Sequence, residues 1–360
     1  SAPMRSSLPP TPDPVAERPR ALGAACGTGR IRCRPDDFQV VEILGFEPAG
    51  EGGHSWIQVR KTGANTGWAA ERLAKAWGIH PRHVGFAGSK DRHAVATQWF
   101  SLPGSPPAGL ADGTVLADGL EVLRVTRHDR KLRRGWLRGN RFELRVRDLQ
   151  ADEACLAERL AAIAASGLPN YFGDQRFGRR GGNLVSARDW LAGGPSPRRR
   201  AARSFALSAA RAQIFNLVLG ARVRAGTWNA LESGDVARLE GSNSQFRVGL
   251  VDADLRRRAD EGDVHPSGPL WGAGDPGTSG AVSSMDEQIA DTEPDLRRGL
   301  EAETRMDRRS LRVRAGDFSW AYGGGQLELR FFLPAGSYAT SMLEAVLDVE
   351  DAAQTAAASS

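Results

Sequence analysis

The chain has 360 residues, of which 41% are hydrophobic and 25% charged, and a formal net charge of +5. Such a length accommodates roughly two domains of ~150 residues each, with buried cores of ordinary globular composition. No apolar run approaches the ~18 residues that a membrane-spanning helix requires, which argues against a transmembrane role.

Residues 1–25 begin rich in Pro, Ala, Ser and Arg, lack the apolar stretch of a secretory signal, and are expected to form a disordered lead-in. Residues 28–46 read as a strand, a turn at Pro35-Asp36-Asp37 and a second strand from Phe38 to Leu44. A Gly/Pro/Glu loop over 47–54 leads into an alternating strand at 55–61. Thr66 is the expected N-cap of a helix whose apolar face carries Ala69, Leu73, Ala76 and Trp77. Residues 85–101 set Asp91 on a glycine-punctuated turn ahead of a strand over 93–101, and further strands are expected at 120–126 and 142–146. An amphipathic helix over 151–165 ends at Ser166-Gly167.

The composition then changes. Residues 170–183 alternate polar and aromatic side chains between glycines, a pattern poorly suited to a core and better suited to packing on nucleic acid or another domain. A Pro/Arg loop over 193–200 precedes a strong helix at 204–224, a loop-rich stretch covers 262–285, and a helix contains Leu296 and Leu300. Strands return at 311–314, 318–321 and 326–333, the last two joined as a hairpin by Gly323-Gly324-Gly325. Tyr338 opens a final helix, and residues 351–360 are expected to be a disordered tail. Strand-rich ends around a helix-rich middle, with no internal repeat, predict an α+β domain interrupted by an inserted one.

Asp91 lies between Lys90 and Arg92, cations expected to favour its ionised form, so that it can act as a nucleophile or base. Aspartate is also favoured in turns for its local backbone hydrogen bonds. The segment is no phosphate loop, because Asp91 follows Lys90 where the Walker pattern needs Ser or Thr. Cys26, Cys33 and Cys155 are odd in number and form no C-x-x-C pair, which predicts no disulfide framework and fits a reducing cytoplasm. His80 and His83 have no third ligand at zinc-like spacing, so no metal is expected. Residues 124–147 hold ten Arg or Lys against Asp129 and Glu143, and residues 176–211 are basic apart from Asp189. Interleaved with Trp136, Phe142, Tyr171, Phe172 and Phe177, these stretches point to RNA as partner.

The motifs P-D-D-F-Q-V-V-E, G-F-A-G-S-K-D-R-H-A-V-A-T-Q-W, G-N-R-F, P-N-Y-F-G-D-Q-R-F-G, R-S-F-A-L-S-A-A-R-A-Q-I-F-N, S-G-P-L-W-G and L-P-A-G-S-Y-A-T occur in one order across residues 26–350. In that order they resemble the TruD family of tRNA pseudouridine synthases, though 250–295 adds only S-G-P-L-W-G. The resemblance implies a pseudouridine-synthase-type domain with a mixed, mainly antiparallel sheet, formed by 26–168 and 312–350. An inserted α+β accessory (TRUD) domain would span 169–311. It implies isomerisation of uridine, at position 13 of the D stem, by an aspartate nucleophile on a flipped base, with no cofactor or metal.

On this resemblance Asp91 is the catalytic residue and Phe142 the aromatic that stacks on the base. Asn140 bonds the uracil edge or orients Asp91, while Phe38 and Tyr338 line the pocket. Arg32 stands where the family is expected to carry a lysine partnering the aspartate, and it keeps the charge with a different geometry. Arg133, Arg134, Arg179, Arg180, Arg199 and Arg200 are the expected RNA-backbone contacts, with tRNA held as a monomer's substrate in a basic cleft. A non-catalytic RNA-binding or RNA-folding protein is the alternative, and Asp91 discriminates, because a binder has no use for an anion facing phosphate.

Overall fold

A computed structural model describes residues 15–358, and these divide into two units. Among the described residues, one comprises 22–167 with 314–358, and the other 15–21 with 168–313. Both mix helices and strands, and the strand pairings are mainly antiparallel, so the α+β class holds.

The first unit is organised by a ten-stranded sheet. Its main path runs Gly316–Gly323, Gln326–Pro334, Gly139–Ala151, Phe38–Ile43, Val95–Pro103, His54–Thr62, Leu120–His128 and Val115–Ala117. Two pairings are parallel: Phe38–Ile43 with Val95–Pro103, and Gly27–Ile31 with Asp348–Asp351. The hairpin expected at Gly323-Gly324-Gly325 is present, with Gly324 and Gly325 at φ 60° and 73°, values glycine adopts without a Cβ penalty. Gly139 is required for a different reason. A Cβ there would come within 2.2 Å of the Leu333 carbonyl oxygen and 2.4 Å of the Phe332 ring.

The helix Thr66–Trp77 packs Ala69, Ala70, Leu73 and Ala74 against Ile57, Val59, Phe100 and Val122 of the sheet. Its buried face is turned from the expected one, leaving Ala76 and Trp77 half-buried. Asn65, not Thr66, is the N-cap and accepts the Trp68 N–H at 2.7 Å. The Thr66 hydroxyl is thereby released for a bond described below.

The second unit packs Asp174–Phe177, Gly182–Leu191, Gly280–Asp291 and Pro294–Glu303 around the long helix Arg200–Arg224, with a four-stranded antiparallel sheet. Three sequence expectations are corrected here. The stretch read as loop over 262–285 contains an inner strand, Val264–Leu270, paired on both sides despite Pro266 and Pro269. It also contains the start of Gly280–Asp291. Tyr171, Phe172 and Phe177, read as unsuited to a core, are buried in one. Asn216 bonds both the N–H and the carbonyl of Phe172, so the polar neighbours satisfy the backbone that these rings carry inward.

The lead-in and tail also differ from expectation where they are described. Ala16 N–H donates to Gln213 Oε1 at 2.8 Å, Tyr171 donates to the Pro19 carbonyl at 2.9 Å, and Arg159 donates to the Ala24 carbonyl at 2.9 Å. Residues 348–358 form a strand and then a helix, Ala352–Ala358, whereas residues 1–14 and 359–360 lie outside the described residues. Against the expectation of no disulfide framework, Cys26 and Cys155 form a disulfide that ties the first strand region to the helix Glu153–Ser166. Spacing gave no hint of this pair, because 129 residues separate the two cysteines and the fold alone brings them together.

Candidate active site

The loop carrying Asp91 is held in place before any substrate is considered. The Thr66 hydroxyl accepts the Lys90 N–H at 2.9 Å and lies 3.1 Å from Gln98 Oε1. Gln98 in turn donates through Nε2 to the Gly88 carbonyl at 2.8 Å. From the neighbouring strand, the Lys61 ammonium donates to the carbonyls of Ala64 at 2.7 Å and Asp91 at 3.2 Å. Lys61 is fully buried. That burial pushes its pKa down to about 8, an effect resisted by the charge of Asp91, increased by Lys90 and resisted again by Glu42.

With its backbone fixed, the Asp91 carboxylate is 38% exposed and bonded to a buried cation. Arg32 Nη2 donates to Asp91 Oδ2 at 2.7 Å. The sequence neighbours behave differently from expectation. Lys90 places its ammonium 2.8 Å from Glu42 Oε1, and Arg92 is exposed. Glu42 has a carboxylate with no exposed surface, and its other oxygen accepts the Trp99 N–H at 2.8 Å. Burial raises the Glu42 pKa above the ordinary carboxylate value, and the Lys90 charge works against that rise.

A run of rings continues from Arg32. Its guanidinium carbon lies 4.2 Å above the centre of Phe38, a cation–π contact made in a buried setting. Phe38 meets Phe142 edge-on at 6.1 Å, and Phe142 meets Phe331 at 5.4 Å. These rings share a face because Phe142 is registered against both Val40 and Phe331 in the sheet. Asn140, two residues before Phe142, is on that same face opposite Glu42. Its Oδ1 is buried and has no hydrogen-bond partner among the described residues. An amide acceptor in that state is an open position for an N–H donor.

The other sequence-derived positions are distributed as follows. Tyr338 is the half-buried N-cap residue of the helix Ala339–Glu344. Arg133 and Arg134 are exposed on the unit that carries Asp91, and Arg179, Arg180, Arg199 and Arg200 are exposed on the other unit. Several further arginines of the basic stretches are spent on internal contacts: Arg147 with Asp37, Arg145 with Glu328, and Arg211 with the Leu270 and Arg305 carbonyls.

Sequence reasoning missed Glu42, Lys61 and Asp351, whose Oδ2 accepts Arg32 Nη1 at 2.6 Å. Two of the three left a signal. Glu42 follows Phe38 and Val40 at the strand period of two, and Lys61 follows Ile57 and Val59 in the same way. A charge in phase with buried apolar residues marks an inward-facing ionic group. Asp351 gave none.

The family model described as tRNA pseudouridine synthase D (TruD) matches residues 21–189 and 199–346. A tRNA pseudouridine synthase D of Methylococcus capsulatus is 46% identical over 340 residues, covering 92% of this chain and 94% of that protein. One from Nitrosococcus oceani is 44% identical over 329 residues, covering 90% and 92%. The crystal structure of a TruD protein from Methanosarcina mazei superposes with a TM-score of 0.68 at 20% identity, covering 90% of this chain and 94% of that one, a likeness of fold.

Proposed function

The chain belongs to the tRNA pseudouridine synthase D family of isomerases, and we propose that it converts uridine 13 in the D stem of tRNA with Asp91 as nucleophile. The observation that carries this reading is the half-exposed Asp91 carboxylate bonded to the buried Arg32 beside the stacked rings of Phe38 and Phe142. A partly exposed carboxylate bonded to a buried cation is what a nucleophilic carboxylate requires.

In the proposed reaction the carboxylate attacks the target nucleotide and the bond between uracil N1 and ribose C1′ breaks. Uracil turns, a bond forms between C5 and C1′ as the carboxylate is released, the C5 proton departs, and N1 takes up a proton. Substrate and product are isomers with no net oxidation, so the reading assigns no cofactor. The target nucleotide must leave its helix to reach Asp91. Phe142 stacks on the extruded base, and Phe38 and Tyr338 form the pocket wall. The unpartnered Asn140 Oδ1 accepts the uracil N3–H. The unit of residues 22–167 with 314–358 acts as the catalytic domain, and 168–313 as the inserted accessory domain. The enzyme works as a monomer, and its tRNA substrate, not its cysteines, assigns it to the cytoplasm, where the Cys26–Cys155 disulfide is unusual.

The test is tritium release from transcripts of tRNA labelled at uridine C5. Release is expected from a transcript carrying uridine 13 and not from one carrying cytidine there. Release from both would place the target elsewhere. Release from no tRNA, with binding retained, would leave an RNA-binding protein.

Phosphate contacts are assigned to the exposed arginines named above. Replacing Arg199 and Arg200 together by Ala is expected to weaken tRNA binding and to flatten the slope of log affinity against log salt by about one to two. Single-turnover conversion of saturated enzyme is expected to stay unchanged. An unaltered salt slope in binding titrations would remove this pair from the interface.

A further inference from the structure

Arg32 is held by more than its bond to Asp91. Its backbone is left-handed, with φ 52°, a conformation that costs energy in any residue carrying a Cβ. Its side chain is only 5% exposed, with its guanidinium carbon 4.2 Å from the centre of the Phe38 ring. From that position the two ends of the guanidinium fork serve different carboxylates, Nη2 reaching Asp91 at 2.7 Å and Nη1 reaching Asp351 at 2.6 Å. A guanidinium facing one carboxylate commonly takes both of its oxygens in a parallel, bidentate pair. Here the second carboxylate occupies one end of the fork and fixes which end is turned toward Asp91.

Asp351 is well placed for this task. It ends the strand Asp348–Asp351, which runs parallel to Gly27–Ile31, and it is registered against Ile31, the residue before Arg32. Its side chain is 15% exposed. Its Oδ1 accepts the Ala353 N–H at 3.1 Å, at the start of the helix Ala352–Ala358. The family match stops at residue 346, so this carboxylate belongs to a segment beyond it.

We propose that Asp351 is a positioning residue for Asp91. By clamping one end of the Arg32 fork it keeps the other end presented to the nucleophile, and it makes turnover depend on the segment beyond residue 346. This inference rests on the reading of Asp91 as nucleophile. Asp351 touches no substrate in the proposal, so its effect belongs in kcat and not in KM.

A helix cap is the competing role, and asparagine separates the two, because it caps as well as aspartate does but carries no charge. The experiment is a double-mutant cycle on the full chain, read as kcat and KM for tritium release from tRNA. The Asp351→Asn change is expected to lower kcat about tenfold or more with KM within about twofold, since small misplacements of reacting groups are costly. Asp351→Glu is expected to recover part of the loss. In the Arg32→Lys background, which has an ammonium in place of a fork, adding Asp351→Asn is expected to cost less than about twofold further.

Full activity of Asp351→Asn would reduce Asp351 to a cap and overturn the proposal, as would losses from Arg32→Lys and Asp351→Asn that simply multiply. If Asp351→Asn does not fold, Asp351→Ser serves in the same cycle, because serine also caps without charge. Asp91→Asn is assayed in parallel. Turnover by that variant would remove the nucleophile reading itself, whereas an inactive Asp91→Asn with no coupling between Arg32 and Asp351 would remove only this inference.

Discussion

Asp91→Asn is expected to reduce pseudouridine formation to background, a loss of about 10⁴-fold or more, as is found when a nucleophile is removed from a covalent mechanism. Asparagine nearly matches aspartate in shape, and its carbonyl can still accept from Arg32 Nη2, which now bonds Asp91 at 2.7 Å. What it loses is the charge that attacks. Much of the loop's scaffold does not depend on that charge, because Thr66 and Gln98 hold Lys90 and Gly88 through uncharged bonds. The Asp91 charge does, however, favour the Lys61 ammonium that bonds the Asp91 carbonyl. Affinity for tRNA, measured by filter binding at fixed salt, is therefore expected to stay within about threefold, since backbone phosphate contacts dominate binding. An affinity that falls together with activity would mean that Asp91 organises the loop and performs no chemistry.

That contrast between charge and scaffold also explains which parts of the molecule were legible in the sequence. The strands and helices of the Asp91 unit follow local rules. The helix Thr66–Trp77 could be placed from its spacing, and the hairpin at Gly323-Gly324-Gly325 from its glycines. Arg32, Phe38, Asp91 and Phe142 were identified through motifs, and the structure brings them into one connected run of contacts. Less legible were elements whose local composition conflicts with their tertiary setting. The strand Val264–Leu270 is an inner one despite two prolines, and its buried Ser267 and His265 have polar partners in Val236 and Arg312. Tyr171 and Phe172 look exposed in a polar, glycine-rich segment and are buried because Asn216 satisfies the Phe172 backbone. Least legible was Asp351, 319 positions from the arginine it meets. Its position follows from a parallel pairing between the first and last strands of the unit, and no local pattern specifies a contact of that sequence separation.

Lys61→Met is the second large effect expected, and it separates stability from activity. Met fills much of the same buried volume but donates nothing, so the carbonyls of Ala64 and Asp91 lose their bonds and the loop loses its clamp. Turnover is expected to fall about 10- to 100-fold through displacement of Asp91. Stability should respond in another way. The pKa of Lys61 is lowered by burial from 10.5 to about 8, so between those values the unfolded chain holds a proton that the folded chain has released. Folding is then favoured increasingly as pH rises through that window, and at neutral pH the buried ammonium opposes it. From pH 8 to pH 10 the wild type should gain on the order of 1–2 kcal/mol relative to Lys61→Met, because each tenfold difference in proton affinity between the two states is worth about 1.4 kcal/mol. Urea unfolding of both proteins across that range makes the comparison, because the variant retains every other group that titrates there. Parallel curves would show that Lys61 keeps its proton as readily folded as unfolded. The loss of turnover would then have to come from the missing hydrogen bonds alone, with no part played by a depressed pKa at the base of the Asp91 loop.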